Sequence, residues 1–369
     1  MSGHQGASMT ILCLCREKHH WKLIPGYASA FRARGMEFVY TDEDIPLDSS
    51  LEAILQRLPT RPSWIFHFES VWPLLPQGLE RSDIPTVRFD TDTYSFPRKR
   101  MRWSSLFDHV AVFHPGYDRM FLEAGHPGAF LLPHAVRREF YDGPEVEREF
   151  EIGWVGQFSG PVYRNRTEWL PKLFRTFHGN DVSRSYTVSE VASVYRRSQI
   201  VVNIGRDDFP QDANLRVFEV LASGALLITS MPSELTEIGF EEGVHFIGYK
   251  NEREIFPLVD HFLKCDSERT RIGQAGRSKV LSEHTYDNRV QSLLDRLNKS
   301  PVEMLAPARG WPEYRARLAY LDYFASLGFV AKAQSQFRHI AGRSIRETVE
   351  GAVLLGKAWS RGLMSKAPI

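Results

Sequence analysis

The sequence predicts an α/β protein made of two Rossmann-like halves, with a helical extension at the C-terminal end. Three observations predict it. The chain has 369 residues, too many for one ordinary core, so two domains are expected. Short apolar runs alternate with helically spaced segments over residues 9–297, the rhythm of parallel, doubly wound sheets. The stretch Asn214-Leu-Arg-Val-Phe-Glu-Val-Leu-Ala-Ser-Gly-Ala-Leu-Leu-Ile-Thr229 reads as a helix stopped by a glycine and followed at once by a buried strand.

Residues 9–15 alternate apolar and β-branched side chains as a strand does, and the polar residues 16–20 follow as a loop. Helical spacing covers 24–34 and 51–58. Strands are expected at 37–40, at 64–68 (running into Glu69 and Ser70), and at 86–89 with Asp90-Thr-Asp92 at its end. A strand at 109–113, a helix reaching Leu122 and a strand at 129–132 complete the first half. The acidic, polar stretch 142–149 is the expected linker, which sets a first domain at 1–145 and a second at 146–300.

The second half opens with a strand at 150–155 leading to Gly156, then a polar loop and a helix containing 169–177. Helices at 188–197, 214–223, 252–264, 269–285 and 288–297 alternate with strands at 200–204, 225–229 and 245–249. Beyond residue 300 no strand pattern appears. Helices are expected at 314–327 and 330–340, broken at Gly328, and at 345–363, with Lys357, Arg361 and Lys366 near the end. The extension 301–369 reads as a buttress for a domain, and its basic end also suits a peripheral membrane contact.

Composition narrows the function. Apolar content of 43% and charged content of 25% are ordinary globular values. A formal net charge of +1 supplies no field for recruiting nucleic acid. The three cysteines make no disulfide framework; Cys13 and Cys15 fall on one face of the first strand and read as small buried residues. No run approaches the roughly 20 apolar residues of a membrane span, and residues 1–8 lack a signal core, so a cytoplasmic protein is expected.

Arg216 and Glu219 are three residues apart and share a helix face, while Leu215, Phe218, Leu221 and Ala222 point into a core. A cation and a carboxylate at a helix start suit an anionic, hydroxyl-rich ligand such as a nucleotide sugar. The bland alternative is a surface ion pair worth only tenths of a kcal/mol. His67, His114 and His134 read as structural histidines. Asp90-Thr-Asp92 reads as polar residues at a strand end rather than as a metal site, and Lys18-His19-His20 as a loop able to face a ligand.

Several motifs in order carry a family resemblance. Asn214-x-Arg216-x-Phe218-Glu219-x-x-Ala222-x-Gly224, then Glu241-Glu242-Gly243, Ala275-Gly276-Arg277 and His284-Thr-Tyr286-x-x-Arg289 resemble the CgeB-like glycosyltransferases, in the GT-B group related to glycosyltransferase family 4. The likeness covers roughly residues 150–297. Ile84-Pro85, Asp90–Asp92 and Phe107-Asp108 match only in layout.

The resemblance implies a GT-B fold whose two domains face a cleft. It implies transfer of a sugar from a nucleotide sugar, with retention of anomeric configuration, no metal and no cofactor beyond that co-substrate. The donor set becomes Gly156, Gln157, Arg166, Asn203, Gln211, Asn214, Arg216 and Glu219, with Glu219 on the ribose and Arg216 on the diphosphate. The catalytic candidates are Arg216, Asp92 and His19. The group often carries a glutamate eight positions before Glu219, where this chain has Gln211, so the donor sugar is not carried over. Acceptors left open are a glycan, a lipid-linked glycan, a small molecule or a protein. A non-catalytic binding or assembly protein and another nucleotide-sugar enzyme, such as an epimerase, are the alternatives.

Overall fold

The computed structural model describes residues 9–19, 23–68, 74–299 and 303–364; His20, Glu69, Ser70 and Lys366 lie outside them. The chain divides into Met1–Leu132 with Leu294–Ile369, and Pro133–Leu293. This division departs from the expected one at 145 and 300. The segment 133–149 belongs with the second unit, and the C-terminal helices belong with the first.

Unit 1 holds a six-stranded parallel sheet of β1 (Thr10–Arg16), β2 (Glu37–Thr41), β3 (Trp64–Phe68), β4 (Thr86–Asp90), β5 (His109–Val112) and β6 (Ala129–Leu131), in the order β2-β1-β3-β4-β5-β6. Its helices are α1 (Ile24–Arg32), α2 (Leu51–Leu55), α3 (Pro97–Ser104) and α4 (Tyr117–Glu123). The sequence pattern did not foretell α3, whose Pro-Arg-Lys-Arg-Met-Arg-Trp-Ser shows little apolar periodicity; only Arg100, Trp103 and Ser104 are buried. Strand order reverses between β1 and β3, so ligands are expected beyond their carboxyl ends. The short turn Glu17–His19 follows β1 there. Cys13 and Cys15 are free and buried, as expected.

Unit 2 holds four parallel strands, β7 (Phe150–Gly153), β8 (Ser198–Asn203), β9 (Leu226–Ser230) and β10 (Ile247–Tyr249), in the order β10-β9-β8-β7. Its helices are α5 (Arg164–Thr176), α6 (Val188–Arg196), α7 (Leu215–Ser223), α8 (Glu234–Glu237), α9 (Ile255–Lys264) and α10 (Asp266–Glu283); α11 (Tyr286–Leu297) spans the boundary between units. Alternation along β8 buries both faces of the sheet. Ile200 and Val202 join the core with Leu170, Val259 and Phe262, while Val201 joins the core with Val217, Phe218 and Leu221. Thr187 and Glu190 form a reciprocal capping box at the start of α6. Gly224 ends α7 at φ 73°, a left-handed conformation that costs glycine nothing.

The C-terminal helices α12 (Glu313–Ser326), α13 (Val330–Arg338) and α14 (Ile345–Met364) complete the core of unit 1. Ala316, Leu321, Phe324, Ala333 and Leu354 cluster with Leu12, Leu14 and Ile65 of the sheet. Each such Leu or Phe stabilises the unit by about 1.5–3 kcal/mol. Tyr320 Oη accepts from the backbone N–H groups of Gly78 (3.0 Å) and Leu79 (3.2 Å) and donates to Glu80 Oε2 at 2.7 Å. The buttress reading of the extension holds. Among the described residues, no helix is long and apolar enough to cross a membrane.

Candidate active site

Two arginines define the site in unit 2. Arg166 lies in the first turn of α5, after β7, and Arg216 in the first turn of α7, after β8. The strand-to-helix connections therefore carry both cations to the carboxyl-end side of the sheet. Arg216 donates from Nε to the Val155 carbonyl (2.8 Å) and from Nη1 to Asn203 Oδ1 (2.9 Å). Arg166 donates from Nε to the Ile204 carbonyl (2.8 Å) and from Nη1 to the Gln157 carbonyl (3.0 Å). All four acceptors are neutral, and neither arginine forms an ion pair among the described residues.

Trp154 forms a floor between them. The Arg216 guanidinium carbon lies 5.0 Å from the indole centre and that of Arg166 lies 5.9 Å from it, while Arg166 also stacks 4.1 Å from Tyr163. Burial, then the charge of Arg216, push the Arg166 guanidinium down to about 10, against the pull of Asp212 in the other direction. Two like charges held at one buried spot favour the arrival of an anion.

The start of α7 adds to this. Asn214 occupies its N-cap position but makes no side-chain cap, and the first turn carries no acidic residue. Its amide instead contacts Asp212 Oδ2 at 3.4 Å. The helix thus presents its uncapped N–H groups and the positive end of its dipole on the side where Arg216 stands. The start of α5 is different, because Asp207 already accepts from the N–H groups of Arg164 (2.8 Å) and Asn165 (3.2 Å).

Gly156 makes room for the arrangement. A Cβ there would lie 2.0 Å from Arg216 Nη2, and its φ is 155°. Asn203 is a support rather than a free ligand. Its Oδ1 holds Arg216 and its Nδ2 donates to Thr229 Oγ1 at 3.0 Å. Gln157 contributes its carbonyl to Arg166, and its exposed amide donates to the Ser159 carbonyl. Gln211 lies in the loop before α7, where its carbonyl accepts from the backbone N–H of Glu234 at 2.9 Å.

Glu219 shares the face of Arg216, as the spacing required. Both charges act on the buried Tyr195 phenol, which burial pushes up, with Arg216 pulling it down and Glu219 pushing it further up. Among the described residues the bonds of Arg216 go to the Val155 carbonyl and Asn203 Oδ1. Trp154, Tyr163 and Asp212 were not singled out as site residues from the sequence. For Tyr163 the available signal was its place among the aromatic residues between Gly156 and Arg166.

The remaining candidates lie in unit 1. Asp92 is exposed in the turn after β4, where its Oδ1 accepts from Tyr94 Oη at 3.2 Å. Asp90 is buried and accepts from Arg100 (3.0 Å), Arg88 (3.3 Å) and Thr93 (2.9 Å). Burial pushes its carboxyl up, but Arg100 and Arg88 outweigh this and hold it below its ordinary value. Its oxygens are committed to structure. His19 closes the turn Glu17–His19, and Lys18 pairs with Glu43. His67 and His114 are buried against Arg88 and the Thr91 carbonyl. In unit 2, His284 is held by Arg289 at 2.5 Å. His134 is likewise buried, its ring 6.2 Å from that of Phe218, so the structural reading of His67, His114 and His134 stands.

Comparison with known structures gives the fold. The Anabaena protein HepE, solved in complex with UDP and glucose, superposes with a TM-score of 0.57 at 12% identity, over 79% of this chain and 99% of that one. Sucrose-phosphate synthase from Thermosynechococcus elongatus gives 0.54 at 13% identity, over 78% and 98%. A glycosyltransferase from Rickettsia africae gives 0.52 at 12%, over 79% and 98%. The fold is GT-B. Residues 147–295, which carry the two arginines, match the family described as Glycosyl transferase-like. Fold and matched domain are those of a GT-B glycosyltransferase. No curated protein matches the chain in sequence.

Proposed function

We propose that the chain transfers a sugar from a nucleoside diphosphate sugar to an acceptor hydroxyl, with retention and without a metal. The observation that carries this is the pair Arg166 and Arg216, cationic, adjacent and bonded only to neutral oxygens. The diphosphate lies against Arg216 and the uncapped start of α7, with Arg166 behind, and Glu219 accepts hydrogen bonds from the ribose. The reported complex of Anabaena HepE with UDP-glucose supports a uridine donor as the first one to test.

In the reaction the bond between the anomeric carbon and the diphosphate breaks, and the acceptor oxygen bonds that carbon. The acceptor's proton leaves with the nucleoside diphosphate. Negative charge grows on the departing diphosphate, where prearranged guanidinium and N–H donors stabilise it. We assign the acceptor to unit 1, at the strand ends that carry Asp92 and the Glu17–His19 turn.

The test is calorimetry with a panel of nucleoside diphosphates, followed by a donor screen reading diphosphate release with and without EDTA. Binding of one diphosphate and turnover of its sugar in EDTA are expected. Failure to bind any member overturns the reading. Binding without turnover of any donor would favour a non-catalytic protein, and an isomerised donor detected by mass spectrometry would favour an epimerase.

A further inference from the structure

A second basic site stands at the opposite end of α7. Arg216 lies in the first turn of that helix, whereas Ser223 and Gly224 at its end border a cavity of about 240 Å³ within unit 2. Four arginines line it: Arg148 before β7, Arg196 at the end of α6, and Arg269 and Arg277 on α10. They meet where the amino ends of the strands, the carboxyl ends of α6 and α7 and the start of α10 converge.

All four arginines are anchored, and two of them keep most of their donors. Arg148 donates to the carbonyls of Ser198 (2.8 Å), Tyr195 (3.2 Å) and Ser223 (3.2 Å). Arg277 gives one bond to the Tyr141 carbonyl (2.7 Å) and Arg196 one to the Pro144 carbonyl (2.5 Å). A guanidinium has five N–H donors, so most of those on Arg196 and Arg277 remain for a ligand. Arg269 bonds the Phe262 carbonyl (2.7 Å) and pairs with Asp266, which is exposed.

The charges do not balance. Only Glu145 and Asp266 bring carboxylates to a cavity with four guanidinia. Burial lowers the Arg148 guanidinium, and Arg269, Arg196 and Arg277 lower it further against the opposing effect of Glu145. The groups also converge in space. The point where a Cβ would stand on Gly224 is 3.3 Å from Arg148 Nη2, 3.3 Å from Arg277 Cδ and 3.5 Å from Gln274 Nε2. Gly224 is thus both the helix stop and the clearing that lets these side chains close in.

We infer that this cavity binds a small phosphate-class anion, separately from the nucleotide site. Bidentate guanidinium groups match phosphate oxygens, and the Gln274 amide adds a neutral donor. A cavity of about 240 Å³, a little below the usual ligand-pocket range of ~300–1,000 Å³, suits inorganic phosphate or pyrophosphate. This goes beyond the proposed transfer reaction and does not depend on it.

The test uses the full chain carrying Arg216→Ala, which weakens the nucleotide site, titrated with pyrophosphate and with inorganic phosphate in a calorimeter. One binding event is expected to survive in that background. Arg196→Gln should weaken it at least tenfold. Thr270→Glu, which adds a carboxylate on an exposed cavity-lining residue and removes no arginine, should weaken it as much. UDP binding to the otherwise native chain should be unchanged by either substitution. Absence of any event at millimolar anion, or an event that neither substitution alters, overturns the inference.

Discussion

The guanidinia of Arg166 and Arg216 approach the same indole, that of Trp154, at 5.9 and 5.0 Å. Their repulsion is offset by four neutral acceptors and the indole face, and the proposed diphosphate would offset it further. Replacing Arg216 by Ala should lower kcat/KM by about 10²–10³, the usual effect of removing a donor that meets developing charge. Arg166→Ala should do the same and also destabilise unit 2 by on the order of 2 kcal/mol, because two carbonyls lose their donor. Steady-state kinetics and urea unfolding on the two variants separate these effects.

Gly156→Ala should act as a local version of the same loss. The new methyl would sit 2.0 Å from Arg216 Nη2, in a group tied by bonds to Val155 and Asn203. The guanidinium must shift, since it is more movable than the backbone. Nucleoside diphosphate affinity should fall at least tenfold while the circular dichroism spectrum stays native. Unchanged affinity would show that Gly156 is not needed for this geometry.

Glu219 should set the preference for ribose. Hydrogen bonds to a charged group contribute about 1.5–3 kcal/mol. The native chain should therefore bind a ribonucleoside diphosphate roughly tenfold to a hundredfold more tightly than its 2′,3′-dideoxy counterpart. Glu219→Gln should shrink that ratio. Competition calorimetry with the two ligands reads it directly, and an unaltered ratio would remove Glu219 from the ribose.

Tyr320 should be a stability residue of unit 1 with no part in binding. Its hydroxyl meets two backbone N–H groups and the Glu80 carboxylate. Tyr320→Phe leaves these buried partners unmatched, at a cost of about 2–4 kcal/mol. Chemical denaturation should register the loss, and UDP binding at low denaturant should not change.

His284 should make stability fall in acid. Burial, then Arg289 and Lys279, push its imidazole from 6.5 down to about 3. The unfolded chain then binds a proton that the folded chain refuses, so the contribution is full above pH 6.5 and declines toward pH 3. Between pH 7 and 5 the loss from this group is about 2 kcal/mol. His284→Asn should unfold more easily at pH 7.5 yet lose about that much less on acidification. Urea midpoints at pH 7.5 and 5 test the difference.

Which parts were legible follows from what is local. Leu215 to Thr229 read correctly as helix, stop and strand because 3.6-residue spacing, Gly224 and an apolar run are properties of neighbours in sequence. The apolar run at 200–204 likewise read as a strand, and the structure added that both of its faces are buried. The shared face of Arg216 and Glu219 followed from spacing alone. The helix α3 did not, since its periodicity is carried by few apolar residues and its position is held by tertiary contacts such as Arg100 with Asp90.

The tertiary structure alone decided three things. It gave the C-terminal helices to unit 1, because apolar faces such as those of Leu321 and Phe324 carry no mark of the sheet they will cover. It turned Asn203 from a candidate ligand into the support of Arg216, because an amide's partners depend on which strand ends beside it. It also brought Arg166 and Arg216, 50 positions apart in sequence, to one indole. Charge type and helix position are written locally; the meeting of two charges is set by the register and order of the strands that deliver them.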